Sequence, residues 1–424
     1  MLQTTFIRDN RELTIAGLTK KRFYNAEGAV DLIINLDRLR RETQQELDTI
    51  LAQSNAKAKE IGGLMKQGKK EEAEAAKAET ATLKERSKAL DEQLKKIEIE
   101  LQDELVKLPN LPHESVPKGR NADDNITVLE QGEKPVLPEG HQPHWELIKK
   151  LDIIDFELGN KISGAGFPVY KGKGARLQRA MISFFLDEAA KAGYTEIQPP
   201  ILVNADSGFG TGQLPDKEGQ MYHATADDLY LIPTAEVPIT NIYRDVILQE
   251  SDLPVKNAGH TPCFRREAGS WGAHVRGLNR LHQFDKVEIV QIRKPEESYA
   301  ALEEMVNHVK GLLEKLELPY RILRLCGGDM GFTSALTFDF EVWSAAQERW
   351  LECSSVSNFE NYQANRLKLR YKVEGKTQLL HTLNGSALAL PRIVAALLEN
   401  NQQADGSIRI PQALVPYCGF DKIG

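Results

Sequence analysis

An α+β chain is expected: an antiparallel sheet flanked by helices, with a long antiparallel helical hairpin (coiled coil) in front of it. Two observations lead there. Residues 29–108 hold no proline and no aromatic residue and are dominated by Glu, Lys, Ala, Leu and Gln, the composition of long helices. Beyond about residue 127, short β-patterned runs alternate with helical ones. Their connections look hairpin-like or irregular rather than repeated βαβ units, which favours antiparallel pairing. With 424 residues, 41% of them apolar, the chain is long enough for two or three cored domains.

In the hairpin, Leu32, Leu36, Leu39, Thr43, Leu47 and Ile50 recur at intervals of roughly three to four. Leu83, Leu90, Leu94, Ile97, Leu101 and Leu108 do so more cleanly, with Ser87 and Glu104 as polar interruptions. That is a heptad seam. Gly62-Gly63 and Gly68 interrupt it midway and are read as the turn. A first helix of roughly 37 residues would reach about 55 Å, so the arm is expected to project. Its tip, 57–70, carries Lys57, Lys59, Lys66, Lys69 and Lys70 against Glu60 alone. Two readings stay open: a solvated loop that keeps the hairpin soluble, or a finger whose lysines meet the phosphates of a polyanion. Pro109, Pro112 and Pro117 follow as a stiff connector. An N-terminal domain, 1–120 with its coiled coil at about 29–108, and a C-terminal domain, 121–424, are therefore expected.

In the C-terminal domain, 174–192 reads as an amphipathic helix with Leu177, Ala180, Met181 and Phe184 on one stripe. A β-run ending at Pro199-Pro200 follows. Further strands are expected at 229–233, 264–267, 281–292, 338–343 and 351–355, and a last helix at 388–400. The net charge of −7 argues against bulk affinity for nucleic acid but leaves a local basic patch open. No run of about 18 apolar residues exists to span a membrane. The opening MLQTTFIRDNRELTI has neither an apolar core nor a presequence composition. Cysteines 263, 326, 353 and 418 are too few and scattered for a disulfide framework or a zinc site, and a cytoplasmic location is expected.

The stretch 261–290 carries the most chemistry. Arg265 and Glu267 lie two apart, and Phe284 and Glu288 four apart, so on strands each pair shares a face. A hairpin of these runs would bring a guanidinium, two carboxylates and an aromatic plane together. Unpaired charge is costly to bury, so this face is either solvated or a ligand site. Thr234-Ala235-Glu236 stands between Pro233 and Pro238; it suits an ammonium ligand or, equally, a helix cap. Glu352-Cys353-Ser354-Ser355 offers hard oxygens suited to Mg²⁺ on phosphates. Asn384-Gly385-Ser386, followed by Arg392 near a helix start, would favour anions. Neither GxGxxG after a strand nor GxxxxGK[ST] occurs, which argues against a Rossmann or P-loop site. The dispersed histidines lack metal-ligand spacing, and no GxSxG supports serine-nucleophile catalysis.

Taken together, these pieces resemble the signature motifs of class II aminoacyl-tRNA synthetases. The full length resembles the bacterial type of the seryl-tRNA synthetase family. The helix–strand run ending at Pro200 looks like the first motif, which in that class builds the homodimer interface. FRRE at 264–267, with HQFDKVE at 282–288, is similar to the second, and NGSALALPR at 384–392 to the third. TGQLP at 211–215, TAE at 234–236 and IRIPQALVPYCG at 408–419 are similar as well, as is the N-terminal hairpin.

The resemblance implies a class II antiparallel sheet, ATP and Mg²⁺ without zinc, and L-serine, tRNA(Ser) and tRNA(Sec) as substrates. It implies that Arg265, Glu352 and Arg392 are catalytic. ATP would meet Arg265 and Arg266, Glu267, Leu281, Phe284, Glu352, Cys353, Ser354, Ser355 and Arg392. Arg265 would take the α-phosphate and Arg392 the γ-phosphate, with Phe284 stacked on adenine. Glu352 and Ser355 would hold the metal. Thr234, Ala235, Glu236, Glu288 and Ser386 would surround serine, and the tip lysines 57, 59, 66, 69 and 70 would reach the tRNA. Pro391 departs from the glycine common in the family, a change that a helix's first turn tolerates. Glu352 and Ser355 have opposite strand parity, so a shared metal requires a bulge, twist or strand end between them.

Two rivals are a synthetase-like docking protein and an enzyme that transfers an activated amino acid to a carrier protein. The intact motif residues speak against the first, and the helical arm against the second.

Overall fold

The computed structural model describes residues 1–216, 218–267 and 276–424. The chain divides into two compact units, Met1–Pro109 and Asn110–Gly424. In the first, two short helices, α1 (Thr4–Asp9) and α2 (Arg11–Lys20), precede the long pair α3 (Ala26–Lys66) and α4 (Lys70–Lys107). The hairpin seam is dry where Leu47, Leu90 and Leu94 meet, and Arg86 reaches across to Glu46 at 2.6 Å. At its open end the seam runs through Val30, Ile33 and Leu36, while Leu32 is exposed, one position off the sequence reading. Asp37 is buried there and collects Arg8, Arg40 and Arg41.

The turn is shorter than expected. Helix α3 runs through Gly62 and Gly63, and only Gln67–Lys69 separates the helices. Gly68 takes φ 76°, a conformation that favours glycine. The two earlier glycines are a local cost of about 1 kcal/mol each in helix propensity, which the pairing of two long helices absorbs.

The second unit is built on an eight-stranded sheet: β1 (Ile126–Gln131), β2 (Thr195–Glu196), β3 (Val255–Phe264), β4 (Gln283–Arg293), β5 (Tyr320–Arg324), β6 (Leu336–Ser344), β7 (Arg349–Asn358) and β8 (His381–Ala389). Their spatial order is β1-β5-β6-β7-β8-β4-β3-β2. All pairs are antiparallel except β2–β3. The 264–267 strand is a correction: β3 ends at Phe264, and Glu267 has φ 51°. The proline connector is held to this unit, since Asn110 Nδ2 donates to the carbonyls of Thr333 and Phe359 and Val116 joins the core.

Period-two alternation decides which side of the sheet becomes core. Val287 and Ile289 of β4, Phe340 and Val342 of β6, and Leu383 and Ala387 of β8 pack into one apolar cluster. That cluster takes in the inner stripes of three helices, Gly172–Lys191, Ser298–Lys315 and Leu390–Asn400. The alternate residues, Phe284, Lys286, Glu288, Asn384 and Ser386, are left for the opposite side, where they line a cavity.

Candidate active site

The cavity has a volume of about 600 Å³, the size that encloses a small-molecule ligand. Its floor follows from strand register. Phe284 pairs with Cys263, Lys286 with Thr261 and Glu288 with Gly259, so Arg265, two residues beyond Cys263, shares their face. Its backbone N–H donates to the His282 carbonyl at 2.9 Å, which continues the ladder past the strand end. The Arg265 guanidinium lies 5.3 Å from the Phe284 ring centroid, a cation–π distance.

The β7 wall resolves the parity conflict between Glu352 and Ser355. The register slips at Cys353: Phe340 pairs with Ser354, but Glu341 pairs with Glu352. This β-bulge turns Leu351, Cys353 and Val356 all into the core and brings Glu352, Ser355 and Ser357 to the cavity. Behind Ser355, one Asp339 oxygen is buried without a hydrogen-bond partner. Burial, and then the neighbouring Glu352 carboxylate, push the Asp339 carboxyl well above its usual range. A hydroxyl, an exposed carboxylate and an unsatisfied buried carboxylate oxygen form a hard-oxygen set that fits Mg²⁺. Among the described residues no cluster of three His, Cys, Asp or Glu side chains suits a metal ion, so solvent or substrate oxygens would complete any coordination shell.

The opposite end is polar and buried. The buried Lys286 ammonium lies 2.5 Å from Glu288 and donates to Thr234 Oγ1 at 2.9 Å. Glu288 Oε1 accepts from Asn384 Nδ2 at 2.9 Å. Glu236 opens a short helix, Glu236–Asn241, and is buried. It accepts from Gln363 Nε2 at 2.7 Å, and Gln363 in turn accepts from Thr382. Burial and then Glu288 raise the Glu236 carboxyl from 4.5 to about 7, against the pull of Gln363, Lys286 and Arg265. A buried carboxylate short of positive charge is a place for a ligand's ammonium group.

At the third-motif position, β8 passes directly into helix Leu390–Asn400 with Pro391 in its first turn, so the proline meets no backbone conflict. Arg392 donates to the carbonyls of Glu352 at 2.6 Å and Asn279 at 3.2 Å, and its guanidinium lies 3.8 Å from the Glu352 carboxylate.

The cavity gathers Thr234, Glu236, Glu288 and Ser386 with Arg265, Glu267, Leu281, Phe284, Glu352, Cys353, Ser354, Ser355 and Arg392. Two expected residues do not line it. Ala235 packs with Ile239 and Val290 beneath the wall, and the Arg266 backbone N–H is spent on the Gln220 carbonyl. Glu267 lines the cavity paired with Arg280, not through strand parity. Residues 268–275 lie outside the described residues. Lys286, Asn279, Gln213 and Gln220 also line the cavity; the sequence signal for Lys286 is its spacing, two from both Phe284 and Glu288.

The tip lysines 59, 66, 69 and 70 are exposed. Lys57 pairs with Glu60 of the same segment and with Glu79 of the facing helix, and Lys69 pairs with Glu72.

The comparisons agree along the chain. Residues 1–112 match the family model described as seryl-tRNA synthetase N-terminal domain, and 221–401 the one described as tRNA synthetase class II core domain (G, H, P, S and T). The serine--tRNA ligase of Salinibacter ruber is 53% identical over 93% of both chains. That of Akkermansia muciniphila is 48% identical over 100% of this chain and 99% of the relative. The crystal structure of a Pyrococcus horikoshii seryl-tRNA synthetase complexed with ATP superposes with a TM-score of 0.94 at 33% identity, covering 100% of this chain and 99% of the other.

Proposed function

The chain belongs to the seryl-tRNA synthetase family, and from that premise we propose that its cavity activates L-serine with ATP and transfers it to tRNA(Ser), and also to tRNA(Sec). It is a ligase that forms aminoacyl-tRNA. The observation that carries the reading is one cavity with two chemically distinct ends. Glu236, Lys286 and Glu288 make a buried zwitterionic end; Arg265, Phe284 and Arg392 make a cationic, aromatic end suited to a nucleotide.

Glu236, with Thr234 beside it, would take the serine ammonium. Glu288 and Ser386 would face the hydroxyl. Alanine and glycine would leave the Glu288 end without a hydroxyl partner, and such polar sites reject the wrong substrate by on the order of 10⁴. Threonine would be excluded by shape. The serine carboxylate oxygen bonds to the α-phosphorus of ATP and pyrophosphate departs, giving seryl-adenylate. Charge develops on the phosphoryl oxygens, so Arg265 and Arg392 act as fixed cations and no protein nucleophile is needed. Glu352 and Ser355 would hold Mg²⁺, which supplies charge neutralisation at the phosphates when bound. The 3′-terminal ribose hydroxyl of the tRNA then attacks the serine carbonyl, AMP leaves, and a phosphate oxygen takes the proton.

The basic tip of the α3–α4 hairpin would meet the tRNA, and two copies would pair through the first-motif region. No helix among the described residues is long and apolar enough to cross a membrane.

Charging assays on tRNA(Ser) and tRNA(Sec) transcripts test this reading. Both should accept serine with ATP. Lys59→Glu, Lys66→Glu and Lys70→Glu together should weaken tRNA use by more than about tenfold while leaving adenylate formation intact. Equal charging by the triple variant would remove the tip from the tRNA site, and failure to charge tRNA(Ser) would end the assignment.

A further inference from the structure

Helix α5 (His144–Lys150) lies outside the cavity, yet its first three residues grip the segment 276–281. His144 is fully buried, and its Nε2 accepts the Leu278 backbone N–H at 2.9 Å. An accepting Nε2 carries no proton, so the ring proton sits on Nδ1, 2.7 Å from Glu399 Oε1. Glu399 is itself fully buried and is held by the His144 backbone N–H at 2.9 Å, by Gln347 Nε2 at 3.0 Å and by Ser344 Oγ. Gln347 also accepts from Asn279 Nδ2 at 3.1 Å. The next two residues of α5 continue the grip. Arg276 lies 5.0 Å from the Trp145 ring centroid and 3.2 Å from Glu146.

The approach is close enough to require glycine. Gly277 has φ 66°, and a Cβ there would stand 2.3 Å from His144 Nε2. What the grip holds is functional surface: Leu278, Asn279, Arg280 and Leu281 all line the cavity. The Asn279 carbonyl accepts from Arg392, and Arg280 pairs with Glu267.

We propose that His144, oriented by Glu399, is a positioning residue for the nucleotide: it fixes the 276–281 segment so that its side chains and Arg392 meet ATP. The proposal rests on the reading of this cavity as an ATP site. A buried carboxylate–imidazole–amide chain transmits position well because every member is buried and hydrogen-bonded. Losing it frees a buried N–H and lets the wall of the nucleotide end shift.

Serine-dependent ATP–pyrophosphate exchange on the full-length protein tests it with two complementary substitutions. In His144→Gln the amide oxygen can stand where Nε2 accepts. In His144→Asn the amide can face Glu399, but nothing reaches Leu278. The KM for ATP should rise about tenfold in His144→Asn, with the KM for serine within about twofold of wild type and His144→Gln restoring most of the loss. Should His144→Asn not fold, Gln347→Ala, at a half-buried position, should raise the ATP KM about threefold with the serine KM unchanged. An unchanged ATP KM in every folded variant, or equal losses for ATP and serine with no rescue by glutamine, would overturn the proposal. Wild-type protein without serine-dependent exchange would instead sink the cavity reading itself.

Discussion

Replacing Glu236 by glutamine should make the unliganded protein more stable at alkaline pH while it damages serine use. The Glu236 carboxyl rises from 4.5 to about 7, first through burial and then through Glu288. Each tenfold change in proton affinity corresponds to about 1.36 kcal/mol. The folded chain therefore keeps a proton between pH 4.5 and 7 that the unfolded chain has lost, and stability falls as pH rises through that window. The penalty is below about 1 kcal/mol at pH 5 and approaches roughly 3 kcal/mol at pH 8. Glutamine carries no charge and its amide oxygen can still accept from Gln363, so the variant escapes the penalty.

Urea unfolding followed by tryptophan fluorescence reads the relevant unit, because all four tryptophans, at 145, 271, 343 and 350, lie beyond residue 110. The stability advantage of Glu236→Gln should be about 2 kcal/mol larger at pH 8 than at pH 5, allowing for local relaxation. The same variant should raise the serine KM by about a hundredfold or more, since the ammonium loses a buried charged partner. A variant less stable than wild type at pH 8, or equally advantaged at both pH values, would refute the electrostatic reasoning.

Lys286→Met should raise the serine KM by more than about tenfold and leave the ATP KM within about twofold, because it strands Glu288 in a buried site with Asn384 alone; a matching loss for ATP would count against two separate ends. Glu352→Gln should shift the Mg²⁺ dependence of exchange to higher concentration by about tenfold; an unshifted Mg²⁺ titration would remove Glu352 from the metal. Asp37→Ala should destabilise the N-terminal unit by about 1–3 kcal/mol near neutral pH. Burial raises the Asp37 carboxyl, but Arg40 and Arg41 outweigh it and the net change is downward. Its contribution is therefore present above 3.8 and lost as pH falls through the folded value; a deficit that persisted at pH 2 would contradict this.

Part of the site is legible because strand parity groups Phe284 with Glu288, while Glu352 and Arg392 are marked by local residue types and by the resemblance to class II synthetase motifs; these residues and Arg265 all line one cavity. Long-range partners are not legible. Gln363 sits far along the chain from Glu236, and no local pattern marks their contact. The Cys353 bulge was required by the chemistry of Glu352 and Ser355 but invisible in residue types, because cysteine, serine and glutamate fit a regular strand as well as a bulged one. In the arm, heptad spacing marks the seam, but Gly62 and Gly63 lie within the helix and not in the turn: helix length and interhelical packing outweigh the local propensity of two glycines. Ala235 packs with Ile239 and Val290, as its apolar methyl group allows.

If one cavity joins serine to the α-phosphate of ATP, pyrophosphate exchange into ATP, measured with each of the twenty amino acids in turn, will reveal it. Exchange is predicted with serine and to be lower by at least about a hundredfold with threonine, alanine and glycine. Exchange that was independent of serine, or stronger with another amino acid, would contradict the account.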